Sequence, residues 1–401
     1  MLLELWCEQN TNNKGEQALS HHNTVFQQLL KTVSRHDFES LAKQHHSGQQ
    51  LRSVSRWDQF LGMAMSQLTG RQSLRDIEAN LQVQRSKLYH LGAKPIARSS
   101  LARVNEKQPY ELYEALFYRL LRRTTQQPTK HKFRFKNPLF SLDASLIDLS
   151  IKLFPWALSG HSNAAVKLNV GLNHGNMIPE FVALSDGNDH DVNEGRKFDF
   201  PEGSIIVFDK GYLDYAWYKS LTKKGIFFVT RLRINTVYDV VTEHETRPGT
   251  GVISDQTIKL SSNYARKQEL PVFRRVEYRD DETGKTYEFL TNHFHLSANT
   301  IAAIYKDRWQ VELFFKAIKQ TLKLKAFVGR SRNAIFTQIW IAMCVYLMLS
   351  IVKFLSRASW PVHRIMRVLQ LSLFERRSLI DIINPSPPPD PHLHPQMGLR
   401  I

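Results

Sequence analysis

The chain has 401 residues, enough for two or three domains and a large core. It carries 54 Lys and Arg against 37 Asp and Glu, a net charge of +17, on an apolar fraction ordinary for a globular protein. That balance calls for a polyanionic partner, nucleic acid ahead of a membrane surface, while only Cys7 and Cys344 are present, which excludes a disulfide framework and a cysteine-based zinc site and suits a reducing cytoplasm.

Residues 1–23 are polar and irregular and read as a disordered leader. The opening "MLLELWCEQN" holds Glu4 inside its short apolar run and lacks the basic region of a signal peptide. Over 24–123 the pattern is helical: "TVFQQLLKTV", "SRWDQFLGMAMSQLT", "SLRDIEANLQ" and "PYELYEALFYRLLRR" repeat apolar residues every three to four positions. Ser73 with Asp76 has the capping-box spacing, and Ser55 and Pro109 are start signals for two further helices. Arg71, Arg75, Arg85, Lys87, Lys94, Arg98 and Arg103 are scattered among these helices. They suit a helical DNA-binding module, the alternative being a helical scaffold with solvated basic faces. His21, His22, His45 and His46 lie in polar stretches and read as surface residues. Residues 124–138 form a basic linker.

The pattern then turns to strands. "LFSLDASLIDLS" (139–150), "NAAVKLNVGLN" (163–173) and "MIPEFVALS" (177–185) are predicted strands, the last two joined by the turn signal "HGN". A short helix follows in "SDGNDHDVNEGRKF", then the apolar strand of "GSIIVFDKGY", the helix "LDYAWYKSLTKKG" and the strand "IFFVTRLR". Three strands, a helix, a strand, a helix and a strand make a mixed α/β sheet. Residues 232–296 break the alternation with four short strands and read as a β-rich insertion. Helical pattern returns at "SANTIAAIYKDRW" and runs to about residue 378. Within it Ala334–Val352 is uncharged and long enough to be a formal membrane span. Thr337, Gln338 and Ser350 interrupt it and no second span exists, so it is expected to be the buried helix of a large core, with no membrane involved. Residues 379–401 are a Pro-rich tail.

Three acids stand in unusual places. Asp143 lies within an apolar strand, on the same side as Ser141 and Ser145 by alternation. A lone carboxylate there is costly unless it is paired or holds a metal. Asp209 ends the apolar strand "SIIVF", the end at which open α/β sheets carry ligands. Glu312 lies in "YKDRWQVELFFKAIKQ", which reads as one helix. Each acid alone also suits a cap, a salt bridge or a turn; their combination in a basic chain carries the case. Two hard cations about 3.5–4 Å apart would take such carboxylates and serve in-line displacement at phosphorus. Neither a Gly-rich phosphate loop nor H-E-x-x-H competes. At about 100° per residue, Tyr305, Arg308, Glu312 and Lys319 fall within roughly 60° of one another. They form a polar stripe beside an apolar one of Ile304, Val311, Phe315, Ile318 and Leu322. Arg308 and Lys319 are phosphate ligands by type. Simple helix stabilisation by Arg308–Glu312 and Glu312–Lys316 explains a pair but not the stripe.

The spacing Tyr305-(2)-Arg308-(3)-Glu312-(6)-Lys319 resembles the Y-(2)-R-(3)-E-(6)-K signature of bacterial insertion-sequence transposases with a DDE catalytic triad. "SLDAS" around Asp143 and "DKGY" at Asp209 resemble that family's two aspartate motifs, and the resemblance spans roughly residues 24–377. It implies a ribonuclease H-like core, in parts over 139–231 and 297–378, interrupted by the β-rich insertion and preceded by the helical DNA-binding domain. It implies Asp143, Asp209 and Glu312 as catalytic metal ligands for two Mg²⁺ ions, with Mn²⁺ as a substitute. It further implies Tyr305, Arg308 and Lys319 on the DNA end, with Lys210 standing where Arg is commoner and keeping its charge, and Arg71 and Arg75 on the duplex. Asn169 stands where relatives often carry His. Residues 218–308 contain no Trp, so either Tyr or Phe takes the base-stacking role of a hairpin route or cleavage does not pass through a hairpin. The implied activity is cut-and-paste transposition on terminal inverted repeats and target DNA by a homodimer in a synaptic complex, in the bacterial cytoplasm. The alternatives are a metal-dependent endonuclease on the same core without strand transfer, and a DNA-binding protein without catalysis.

Overall fold

The computed structural model describes residues 23–124, 131–150, 152–159, 163–321 and 327–384. The leader with Cys7, His21 and His22, much of the basic linker, Leu322 and the Pro-rich segment from 385 onward lie outside the described residues. The chain divides into two compact units. One comprises Met1–Thr124, Phe327–Gly329 and Asn333–Ile401; the other comprises Thr125–Ala326 and Arg330–Arg332.

The first unit is helical throughout its described residues. Its starts follow the side chains: Ser34, Ser55 and Ser73 accept hydrogen bonds from the backbone of Asp37, Asp58 and Asp76, and Ser55 with Asp58 completes a reciprocal capping box. Gly70, at φ 69°, stops the Arg56–Thr69 helix in the left-handed conformation that glycine adopts without strain. Phe38, Trp57 and Phe60 pack with ring centroids 4.9–5.5 Å apart. Trp57 Nε1 finds its acceptor in the Leu91 carbonyl at 2.9 Å.

The Arg332–Leu355 helix is long and apolar enough to cross a membrane by length and composition, yet 94% of its most apolar stretch is buried. Its Trp340 packs on Phe117 at 5.6 Å, and Cys344 Sγ donates to the Tyr113 carbonyl at 3.4 Å. A helix apolar around its whole circumference needs cover on every side, and the helices of residues 25–124 supply it. In the contact-based division, residues from Asn333 on group with the N-terminal helices. The tail expected from 379 also begins in order, as a helix Leu379–Ile383 capped by Ser378.

The second unit holds a single sheet. Its strands are β1 (Leu139–Leu149), β2 (Leu158–Ser159), β3 (Asn163–Asn173), β4 (Ile178–Asp186), β5 (Ile205–Phe208), β6 (Phe227–Arg231), β7 (Tyr238–Glu243), β8 (Val252–Leu260), β9 (Phe273–Arg279) and β10 (Thr286–Thr291). The ten strands run in the order β2-β3-β1-β5-β6-β10-β9-β8-β7, with β4 also on β3. β1, β5 and β6 are parallel and their neighbours antiparallel, which is the expected mixed α/β sheet. Residues 232–296 contain β7, β8, β9 and β10. Their strands extend the sheet outward from β6 through β10, because β6 ends with an open row of donors and acceptors that pairing satisfies.

Alternation assigns the two faces. Phe140, Leu142, Ile206, Phe208 and Phe228 pack with Trp217 and Tyr218 of the Tyr215–Lys223 helix. Leu139, Ile205, Val207 and Val229 pack with Ile301 and Ile304 of the Ala298–Asp307 helix. Covered on both sides, β5 is buried along its whole length.

Candidate active site

The parallel register of β1 and β5 pairs Ser141 with Val207 and Leu142 with Phe208. The next residue after each is an aspartate: Asp143 continues β1, and Asp209 directly follows the last residue of β5, near enough to act on the Asp143 carboxyl. Odd-numbered residues here share the face of Leu139, Ile205 and Val207, which is the face covered by the helices of 298–321. Asp209 caps the short turn Lys210–Tyr212, its Oδ1 accepting from the Gly211 N–H at 2.6 Å. Asp143 Oδ1 accepts from the Ala144 N–H at 2.9 Å.

The third acid arrives from the helical layer. Residues 305–320 were expected as one helix; the structure has two, Ala298–Asp307 and Trp309–Thr321, meeting at Arg308. Arg308 spans the break: Nη1 lies 3.3 Å from Asp143 Oδ2 and Nη2 lies 2.6 Å from Glu312 Oε1. One guanidinium thus bridges a strand carboxylate and a helix carboxylate. Its Nε is buried and has no hydrogen-bond partner among the described residues. Burial works against the charge of Arg308, but Asp143, Tyr305 and Glu312 hold its proton more tightly than usual. The guanidinium also sits 5.8 Å from the Tyr305 ring, which in turn packs on Phe289 at 5.0 Å. The apolar stripe is buried at Ile304, Val311, Phe315 and Ile318.

Burial pushes the Asp143 carboxyl up to about 6; Arg308 and the Ala144 N–H pull it down, and Asp209 and Glu312 add to the rise. The three acids therefore feel one another. Tyr212, fully buried, is held in its neutral form by burial and by the charges of Asp191, Asp143 and Asp209.

The remaining expected residues are spread more widely. Lys319 lies on the Glu312 helix, half-buried, and Lys210 is exposed beside Asp209. Arg71 and Arg75 are exposed in the helical unit, Arg71 just past the Gly70 stop and Arg75 in the first turn of the Leu74–Val83 helix. Ser141, His174, Asp307 and Lys132 went unread as a group in the sequence and are linked by hydrogen bonds beside the cluster. The one available signal was Ser141 on the same strand face as Asp143.

Three carboxylates are the oxygen donors that hard divalent cations take. The raised proton affinity of Asp143 comes first from burial, which Arg308 offsets only in part, with Asp209 and Glu312 adding to it. Among the described residues no group of three His, Cys, Asp or Glu side chains forms a ready-made cation cage; Arg308 stands between two of the acids instead.

Comparison with known proteins gives the family. The chain belongs to the DDE transposase family: residues 134–348 match the transposase DDE domain. Residues 21–94 match a domain of unknown function, DUF4372. A Sinorhizobium fredii protein named as a transposase is 33% identical over 300 residues, covering 74% of this chain and 83% of its own. Proteins named as insertion-sequence transposases in Geobacillus stearothermophilus and Synechocystis are 26% and 25% identical; they cover 63% and 73% of this chain and 66% and 83% of their own. The piggyBac transposase in a synaptic complex with hairpin DNA aligns at 11% identity and a TM-score of 0.46, covering 92% of this chain and 82% of its own; that likeness is too distant to carry an argument.

Proposed function

We propose that the protein is the transposase of a bacterial insertion sequence, acting by cut-and-paste: it cleaves strands at the element's terminal inverted repeats and joins the freed 3′-hydroxyl to target DNA. The observation that carries this reading is the parallel register that sets Asp143 beside Asp209, with Glu312 tied to Asp143 through Arg308. The β4-β3-β1-β5-β6 part of the sheet supports a ribonuclease H-like core. Asp143, Asp209 and Glu312 would hold two Mg²⁺ ions, or Mn²⁺ in their place, and the ions would supply Lewis-acid activation of the attacking and leaving oxygens.

The chain's own groups have separate work. Arg308 pairs with Asp143 and Glu312 and holds positive charge between them, where the DNA end would meet it. Tyr305, anchored on Phe289, offers a ring edge and a hydroxyl to the DNA end. Lys319 and Lys210 add cationic charge around the scissile phosphate. Arg71 and Arg75 hold the duplex backbone. Paired-end cutting calls for a homodimer in the synaptic complex, at work in the bacterial cytoplasm.

The test is Mg²⁺-dependent strand cleavage of a duplex carrying the element's terminal repeat, with a target plasmid present. Glu312→Gln is expected to lose at least a thousandfold in rate while binding the duplex as before, since removal of a central catalytic group costs on the order of 10³ or more. Equal cleavage by the variant overturns the assignment. Cleavage by the unmodified protein without a joined product would make it an endonuclease on the same core.

A further inference from the structure

A buried chain of hydrogen bonds runs beside the acid cluster. Ser141 lies two positions before Asp143 on β1, on the same face, and is fully buried. Its Oγ is 2.5 Å from His174 Nε2. His174 Nδ1 is 2.8 Å from Asp307 Oδ2, and Asp307 Oδ1 accepts from Lys132 Nζ at 2.6 Å. The backbone N–H of His174 donates to the Leu139 carbonyl at 3.0 Å, pinning the residue to the start of β1. Asp307 is the last residue of its helix, and the next residue is Arg308.

The order serine, histidine, carboxylate is that of a nucleophilic triad. Here the serine has 0% exposure, so no substrate reaches its hydroxyl and the arrangement is not a second catalytic centre. Its chemistry is that of a tie. Burial opposes the charge on Asp307, yet the hydrogen bonds from His174 and Lys132 outweigh it and hold the carboxyl below its usual range. An ionised Asp307 accepts from Nδ1–H of His174, and the Ser141 hydroxyl, able to donate or accept, meets Nε2. Every bond in the chain then has one donor and one acceptor. Through His174 the chain links the two elements that carry the site: β1, which bears Asp143, and the helix end at Asp307, next to Arg308.

We infer that His174 and Asp307 are positioning residues for the acid cluster, locking the break at Arg308 to β1 so that the guanidinium meets Asp143 and Glu312 together. The inference rests on the catalytic reading of those acids, but one of its tests does not need activity. In hydrogen exchange on the full-length chain without DNA or metal, Asp307→Asn and His174→Phe should exchange several-fold faster over residues 303–312 and 139–145 and unchanged in peptides of the helical unit. His174→Gln, which can still donate and accept, should stay near the unmodified rates. Unchanged exchange over both segments in Asp307→Asn and His174→Phe overturns the inference, whatever the protein does to DNA.

The second arm is cleavage of the terminal-repeat duplex in Mg²⁺. Asp307→Asn should lose ten- to a hundredfold in kcat, the usual effect of removing a partner that orients a metal-site group, with KM for DNA within about twofold. In an Arg308→Ala background the same substitution should cost nothing further, because its effect passes through Arg308. Independent, multiplying losses would mean that the tie serves folding alone and would overturn the inference. Absence of cleavage by the unmodified protein counts against the proposed function, while hydrogen exchange still decides the positioning role.

Discussion

Arg308 shows what a single residue does in this site. Its planar fork reaches two carboxylates at once, at 3.3 and 2.6 Å, which a lysine ammonium could not do with the same directionality. Even so, burial costs Asp143 more than the guanidinium returns, and its carboxyl ends at about 6 instead of 3.8. A folded-state proton affinity above the unfolded one means that the favourable contribution is fully present below about pH 4 and is lost as pH rises through about 6. Asp143→Asn should therefore stabilise the ion-free protein by roughly 1–3 kcal/mol at pH 7–8 and by little at pH 4. Urea unfolding of both forms across that range measures it, and equal midpoints at pH 8 would show that the acid is already compensated.

At the scale of elements, the turn that follows β5 is built around Asp209. A Cβ on Gly211 would lie 2.8 Å from Asp209 Oδ1. Gly211→Ala should thus push the carboxylate aside at a cost below about 1 kcal/mol in stability, since a side-chain end can yield, while strand cleavage falls at least tenfold, as displacement of a reacting group by about 1 Å does. Unfolding and cleavage measured on one preparation separate the two effects. The strands and most helices could be read from sequence because their signals are local: alternation in "LFSLDAS", Ser55 and Ser73 as caps, "SIIVF" as a strand covered on both faces. What could not be read depends on distant partners. The strands of 232–296 carry no local sign that they pair onto β6 through β10. Nothing in "IYKDRWQVE" marks a break, as it holds neither Gly nor Pro. The Ser141, His174 and Asp307 tie joins residues 33 and 133 positions apart, beyond any spacing rule. The acids were legible because a carboxylate is conspicuous in an apolar run.

For the molecule as a whole, the net charge of +17 makes DNA affinity a function of salt. Each phosphate contact contributes a slope of about −0.9 in log affinity against log salt. Arg71→Ala and Arg75→Ala should each weaken duplex binding evenly across sequences and reduce that slope by about one. Unaltered slopes, read by fluorescence anisotropy over a range of NaCl, would remove them from the interface. The width of the sheet has a different consequence. β1 and β5 are interior strands, with neighbours on either side, whereas β7 closes one end and leaves Val240 and Val241 about half exposed. Fraying begins where a strand has one neighbour and proceeds inward. The β1–β5 pair that leads to the two aspartates lies away from both edges, so transient opening of the β7 edge is expected to leave their spacing untouched.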